Sequence, residues 1–488
     1  MQNRTLRALL VACSGLSLLT SCVTNPATGQ KDFTPLMSPA QERALGVQEH
    51  PKLLAEFGGA YPDPKISGYV AQVGAQMAAN SELPNLGFTF TLLNSQVINA
   101  FALPGGYVYI SRQLLALMNS EAELASVLGH EVGHVTARHS AKRYNQQVFS
   151  NLAAVGLGIA LGSQQVAQVA SQVSQLSTLS YSRDQEFQAD DLGIRYITRG
   201  GYDPYAAAAM LNSLGAGTDL DTRIAGKGQQ QVPSWARTHP LSADRVTRAG
   251  RTADATQVAP GSRPTKSDAF LDAIDGLLVD DDPAQGVIKG TRFLHPALRL
   301  SFQAPDGFKL QNSPQAVVIQ GASGQAQFAG GALKPGDTLS GYVGALWSSL
   351  TGAAAPPPMS TTIAGLPAAR ASGRLNGQSG PVDVQIVAYR WSSDRAYRFI
   401  TVSKGGQSGT FEPMVNSLKR LSDDEVKGIT ARRIKVVTVG PNDTIESLSR
   451  RMAYPDYQQQ RFTVLNALAG PADLKARKRV KLIVEASS

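Results

Sequence analysis

Three of the six histidines in this 488-residue chain, together with a glutamate, fall inside the stretch LGHEVGHVTARH at 128–139, and no other feature restricts the fold as tightly. On an α-helix His130 and His134 stand about 40° apart and one turn along, so both imidazoles can reach one point in space. Glu131 lies about 100° round from His130 and about 60° from His134, beside that point and not on it. Two imidazoles at i and i+4 fill two corners of a tetrahedral Zn2+ site. The neighbouring carboxylate is then placed to take a proton from water that the ion acidifies. Ser120 followed by Glu123 predicts a capping box that starts this helix, with Leu124, Val127, Leu128 and Val135 as its apolar stripe. His139 falls about 180° round from His130 and reads as a surface residue, as do His50 and His295. The HExxHxxGxxH pattern is excluded, because Ala137 and Ser140 stand where it needs glycine and histidine.

A tetrahedral site needs a further protein ligand. In SRDQEFQADDLGIRYITRGG (182–201), Ser182 and Gln185 predict a second capping box and Gly200-Gly201 a stop, so Glu186 and Asp190 share one face of a helix. Glu186 is expected as the third metal ligand. Asp190, one turn on, is expected to accept the second ring N–H of a ligand histidine and so fix its tautomer. His239 sits in THP behind a Gly/Gln-rich stretch (213–234) that reads as a mobile loop. It has three open readings: a donor to an oxyanion, a cap on the metal's open corner, or a structural turn.

Around this core the chain reads as an α+β multidomain protein. The parts are a mainly helical, zincin-like domain with a small sheet, a small α/β or α+β sheet domain, and a C-terminal module. Arg4 and Arg7 precede the apolar run ALLVACSGLSLLT, and LTSC at 19–22 resembles a lipoprotein lipobox. Residues 1–21 are therefore expected to be a signal peptide and Cys22 a lipidation site. Cys13 is lost in that processing, so no disulfide is expected. A Pro-rich tether (22–39) leads to the first domain (40–250), with strands in LGFTFTLL (86–93) and YVYIS (107–111). The apolar run 151–162 is too short for a span of roughly 20 residues and reads as a core helix or a lid. Residues 251–285 read as linker and helix, 286–425 as alternating short strands broken by Gly/Pro turns, and 430–488 as strand, two helices and strand. The net charge of +9 comes from scattered Lys and Arg, which argues against a nucleic-acid partner.

Four segments, NAFALPGGYVYI (99–110), ELASVLGHEVGHVTARH (123–139), SRDQEFQADDLGI (182–194) and THPLSADR (238–245), resemble the HtpX and BepA branch of zinc peptidases, a gluzincin family. The resemblance implies one Zn2+ per chain on His130, His134 and Glu186, with Glu131 as the catalytic carboxylate. It also matches His239 and Arg245 to the family's late His-Pro and Arg positions. Asn99, Ala100, Phe101 and Ala102 resemble an edge strand on which substrate backbone pairs. Residues 434–484 resemble a LysM module through GPNDTIESLSRRM and LNAL, which implies peptidoglycan as a candidate partner. The expectation is a lipid-anchored zinc endopeptidase on the outer membrane, facing the periplasm, that cleaves unfolded or misassembled envelope proteins. The rival is a non-catalytic, zinc-stabilised lipoprotein scaffold that binds cell wall.

Overall fold

The structure is a computed structural model that describes residues 22–29, 31–33, 37–143, 180–226, 234–240, 243–377 and 380–487. The signal-like segment 1–21 and the apolar run 151–162 lie outside these described residues. The fold is mixed, with helices and several small sheets, and the chain divides into two compact units. The first is built on Gly59–Val279 and Arg433–Val484 together with the residues before 56, and the second on Asp280–Arg432.

The first unit opens with a hairpin of β1 (Cys22–Thr24) and β2 (Lys31–Phe33), followed by α1 (Pro39–Glu56) and α2 (Pro64–Ala79). Asp63 starts α2 by accepting from the amides of Lys65 and Ile66, with Pro64 preset for the first turn. Then come β3 (Thr89–Leu93), β4 (Ala100–Leu103) and β5 (Tyr107–Ser111), in the order β3-β5-β4, with β3 parallel and β4 antiparallel to β5. Helices α3 (Arg112–Leu117), α4 (Glu121–Thr136), α5 (Arg183–Arg199), α6 (Ala206–Ala225), α7 (Ser234–Thr238), α8 (Ala243–Ala255) and α9 (Ser267–Ile274) lead to β6 (Leu278–Val279).

Three sequence expectations change here. The expected tether is docked at its start, because the buried Asn25 donates to the Ala137 carbonyl (3.0 Å) and Asp32 pairs with Lys142 (3.1 Å) at the end of α4. The Gly-rich stretch after 213 continues α6 to Ala225, since Gly215 and Gly217 are outweighed by a face of Met210, Leu211, Leu214 and Leu220 that packs inward. Residues 251–279 are not a free linker. The Thr265 carbonyl accepts from Ala122 N, Lys266 pairs with Glu121, and Asp203 accepts from Gly261 N, all within the first unit.

In the second unit, β7 (Val287–Lys289), β8 (Arg292–His295) and β9 (Leu300–Gln303) precede a run of longer antiparallel strands. These are β10 (Lys309–Asn312), β11 (Val317–Gly321), β12 (Gly324–Ala332), β13 (Met359–Ile363), β14 (Leu366–Gly377), β15 (Gly380–Arg390) and β16 (Arg395–Lys404), in the order β10-β11-β12-β16-β15-β14-β13. Alternation along β15 explains the layering. Ile386 and Ala388 face Trp347 of α10 (Leu339–Thr351), while Val387 and Tyr389 join Phe302, Phe328 and Phe399 on the opposite side. His295 ends β8 half-buried, and burial pushes its pKa down to about 4, so it is not the surface histidine expected.

The chain then returns to the first unit through β17 (Thr430–Thr438), three short helices (Ile445–Ser449, Gln458–Leu465, Pro471–Ala476) and β18 (Arg479–Ser487), with the strand order β18-β17-β6. One helix more forms than the sequence reading gave, because Gly470-Pro471 starts a turn of its own. Residues 433–484 are not set apart as an independent module. Lys481 is fully buried and donates to the carbonyls of Ala116 and Met118, at the turn that launches α4.

That turn is capped on both sides. Ser120 Oγ accepts from Glu123 N (3.1 Å), and Glu123 Oε2 accepts from Asn119 N (2.8 Å) instead of reaching the Ser120 amide as a capping box would. All 16 residues of α4 are buried, so the helix is clad on every side. Against it lies α5 at glycine distance. A Cβ on Gly193 would sit 2.9 Å from His130 N, and one on Gly133 would sit 3.1 Å from Leu192 Cβ.

Three outcomes follow for stability. Gly193→Ala should destabilise the protein by about 1–3 kcal/mol in denaturant unfolding, because the added methyl meets backbone. Gly215→Ala, with nothing within 4 Å of its Cβ position, should instead stabilise by up to about 1 kcal/mol. Lys481→Met leaves two carbonyls without their donor in the interior, which should cost about 1–3 kcal/mol or more of first-unit stability. An unchanged unfolding midpoint for that variant would separate the C-terminal segment from the rest of the first unit after all.

Candidate metal centre

Helix α4 supplies His130, Glu131 and His134 from consecutive turns, and the contact with α5 brings Glu186 to them from the first turn of that helix. The capping box expected at Ser182 and Gln185 forms in full and fixes where α5 begins, and hence where Glu186 points. The Nε2 atoms of His130 and His134 lie 3.0 Å apart, and Glu186 oxygens lie 3.6 Å and 3.5 Å from them respectively. His239, directly after α7, joins the same cluster, with Nδ1 3.0 Å from Glu186 Oε1 and 3.3 Å from His130 Nε2. One donor atom from each of His130, His134, Glu186 and His239 lies within 4.8 Å of the others, and all four side chains are buried. Among the described residues, this is the group whose donors are compatible with a metal ion.

The electrostatics of the pocket are those of charges held out of water. Burial alone would raise the Glu186 pKa, but the His239 charge and hydrogen bonds from His134 and His239 hold it well below the ordinary carboxylate range. Burial would likewise depress His130, yet its hydrogen bond to Asp190 and the Glu186 charge outweigh that and raise it. For His134 burial wins, and its pKa is driven well below the ordinary value. Arg245 reaches both acids, with Nη1 2.6 Å from Glu186 Oε2 and a two-pronged contact to Asp190 at 2.9 and 2.8 Å. Asp190 in turn faces His130 Nδ1 at 3.0 Å.

Glu131 stands apart from this balance. It is fully buried, neither carboxylate oxygen has a hydrogen-bond partner, and His239 Nε2 lies 3.5 Å away. Burial raises its pKa. A carboxylate with no partner beside three imidazoles and a second carboxylate has its lone pairs free for a molecule that enters the site. Two or three imidazoles plus a carboxylate, with a further carboxylate alongside, make a donor set suited to Zn2+.

Some residues are not where the sequence pattern put them. His139 is fully buried instead of exposed, with Nδ1 2.9 Å from His134 Nδ1 and Nε2 2.8 Å from Gln188 Oε1. The helical angle that placed it on the surface does not apply, because α4 ends at Thr136 and Arg138 turns left-handed at φ 55°. A buried ion pair between Arg138 and Glu42 and a bond from Arg138 to the Met37 carbonyl (2.8 Å) hold that turn. His50 is half-buried, with Nδ1 2.7 Å from the Tyr109 hydroxyl. Ala100, Phe101 and Ala102 lie on β4, at the edge of its sheet, with Asn99 just before it. Asn99 Oδ1 accepts from the Thr238 hydroxyl (3.3 Å), next to His239. Sequence reasoning missed Tyr181, whose ring stacks on His134 at 3.8 Å, and Trp235, which stacks on His239 at 4.4 Å. Neither carries a spacing that would have marked it. The backbone of Cys22 belongs to β1.

This region is similar to known peptidases. Over 232 residues the chain is 32% identical to the beta-barrel assembly-enhancing protease of Yersinia pestis, covering 45% of each chain. It is 32% identical over 218 residues to the protein of that name from Escherichia coli (strain K12), covering 43% of each. Over 184 residues it is 33% identical to the mitochondrial metalloendopeptidase OMA1 of Arabidopsis thaliana, covering 36% of this chain and 37% of that one. The chain thus spans less than half the length of these relatives. Residues 64–253, which carry every side chain of the candidate centre, match the model of peptidase family M48.

Proposed function

We propose that this chain is a zinc-dependent endopeptidase of the bacterial cell envelope, hydrolysing peptide bonds of unfolded or misassembled proteins. The single observation that carries the reading is the buried cluster of His130, His134, Glu186 and His239 beside a Glu131 carboxylate that has no hydrogen-bond partner. A structural zinc site has no use for an unpaired buried carboxylate, which costs stability unless it serves chemistry. A divalent cation held there supplies a Lewis acid that acidifies water and polarises a carbonyl.

The chain's own residues do the rest. His130, His134 and Glu186 hold the ion, Asp190 keeps the His130 ring aimed, and Arg245 keeps Glu186 aimed and ionised. Glu131 takes the proton from the attacking water and passes it to the leaving amine. Ala100, Phe101 and Ala102 on the edge strand β4 are the place where an extended substrate adds a strand once this buried edge is uncovered, a mode that tolerates many sequences. The name shared by the Yersinia and Escherichia relatives directs attention to substrates of the β-barrel class. Acylation of Cys22 anchors the chain on the outer membrane facing the periplasm, and the LysM-like residues 430–488 add peptidoglycan as a partner. Among the described residues no helix is long and apolar enough to cross a membrane.

His239 has a specific role in this reading. His239 offers a fourth donor within 4.8 Å of the other three, so it would hold the ion as a removable fourth ligand more than act as an oxyanion donor. Two measurements test these roles. Glu131→Gln should retain stoichiometric zinc by metal analysis and lose casein cleavage by about 100-fold or more. Full turnover in that variant, or a native chain without metal, returns the chain to the scaffold reading. His239→Ala should raise casein cleavage, and a fall would assign the residue to the oxyanion instead.

A further inference from the structure

We infer that His139 is a positioning residue for the metal centre. Through the series Gln188, His139, His134 it selects the tautomer in which His134 presents a bare Nε2 to the ion. The inference depends on the metallopeptidase reading and goes beyond it, since it concerns how one ligand is prepared.

The direction of the series follows from its outer end. Gln188 Oε1 can only accept, so at 2.8 Å it requires the hydrogen of His139 to be on Nε2. A neutral imidazole protonated there carries a lone pair on Nδ1, and that atom faces His134 Nδ1 at 2.9 Å. His134 must therefore donate from Nδ1, which leaves its Nε2 unprotonated, 3.0 Å from His130 Nε2 and 3.5 Å from Glu186 Oε1. No solvent can substitute for this arrangement, because His139 is 0% and His134 1% exposed. The ring of Tyr181 covers one face of His134 at 3.8 Å and 24°, so the imidazole can bond only in its own plane.

The two histidines of α4 are thus prepared differently. His130 rests its second nitrogen on the Asp190 carboxylate, which brings negative charge that Arg245 balances. His134 rests its second nitrogen on a neutral ring and, beyond that, a neutral amide. A second carboxylate at that place would add another buried charge to the pocket. The device depends on the left-handed Arg138, which swings His139 back under the end of α4.

The test is zinc affinity of the full-length chain, measured by competition with a chelating indicator after metal removal, for the native protein and three variants. His139→Leu removes the acceptor and should weaken zinc binding about 10- to 100-fold. His139→Asn restores an acceptor oxygen near the Nδ1 position and should recover most of the affinity. Gln188→Leu, at a half-buried site that tolerates change in the fold, should weaken binding in the same direction by less. Native affinity in both His139→Leu and Gln188→Leu overturns the inference while leaving the metal site intact. So does an Asn variant as weak as the Leu variant, since shape alone would then explain the loss. A native chain that binds no zinc removes the metal reading itself, and the inference with it.

Discussion

Two helices in this protein touch backbone to backbone, and the geometry of the candidate centre depends on that contact. Gly129 and Gly133 on α4 meet Gly193 and Ala189 on α5, with Cβ positions 2.9–3.4 Å from the facing helix. Any larger side chain would wedge the pair apart, and small errors in helix separation would carry the Glu186 carboxylate out of reach of the imidazoles. Packed interiors do not absorb such wedges smoothly. The glycines cost helix propensity, and the return is a fixed separation between ligands that come from different helices.

Close approach also makes the charge balance possible. Within one buried pocket lie Glu131, Glu186, Asp190, Arg245 and three imidazoles, and a single guanidinium reaches two of the three acids. Arg245 and the histidines hold Glu186 and Asp190 ionised against their burial. His239, His130 and Arg245 also pull Glu131 down, but its burial outweighs them and its pKa rises. In one pocket burial wins at Glu131 and the charged neighbours win at Glu186, which is how a site separates a group that exchanges protons from a group that binds.

The parts of this arrangement that follow local rules were legible in the sequence. Ser120, Ser182 and Gln185 mark helix starts by chemistry that acts over three residues, and the i, i+4 spacing of His130 and His134 fixes their common face. The residues that sequence reasoning misplaced depend on distant partners. His139 is buried because Arg138 adopts a left-handed turn that Glu42 and Met37, about a hundred positions away, hold in place. Tyr181 and Trp235 become part of the site only when their segments fold back over α4. The Gly-rich end of α6 looked like a loop because propensity was weighed without the apolar face that packs it. Composition could not show that residues 433–484 join the first unit, since the tie is a buried lysine bonded to two carbonyls far back in the chain.

These ties converge on one element. The start of α4 is held by Lys481, which bonds the carbonyls of Ala116 and Met118, and its end by Asn25 and by the Arg138–Glu42 pair. The helix that carries the metal-binding pattern is therefore clamped at one end by residues near the start of the described chain and at the other by its last strand. Contacts of such long sequence separation form late, because the loop that closes them must be ordered first. Full packing of α4 therefore draws on segments from both ends of the described residues, and a change at either end is felt along the helix that carries the candidate ligands.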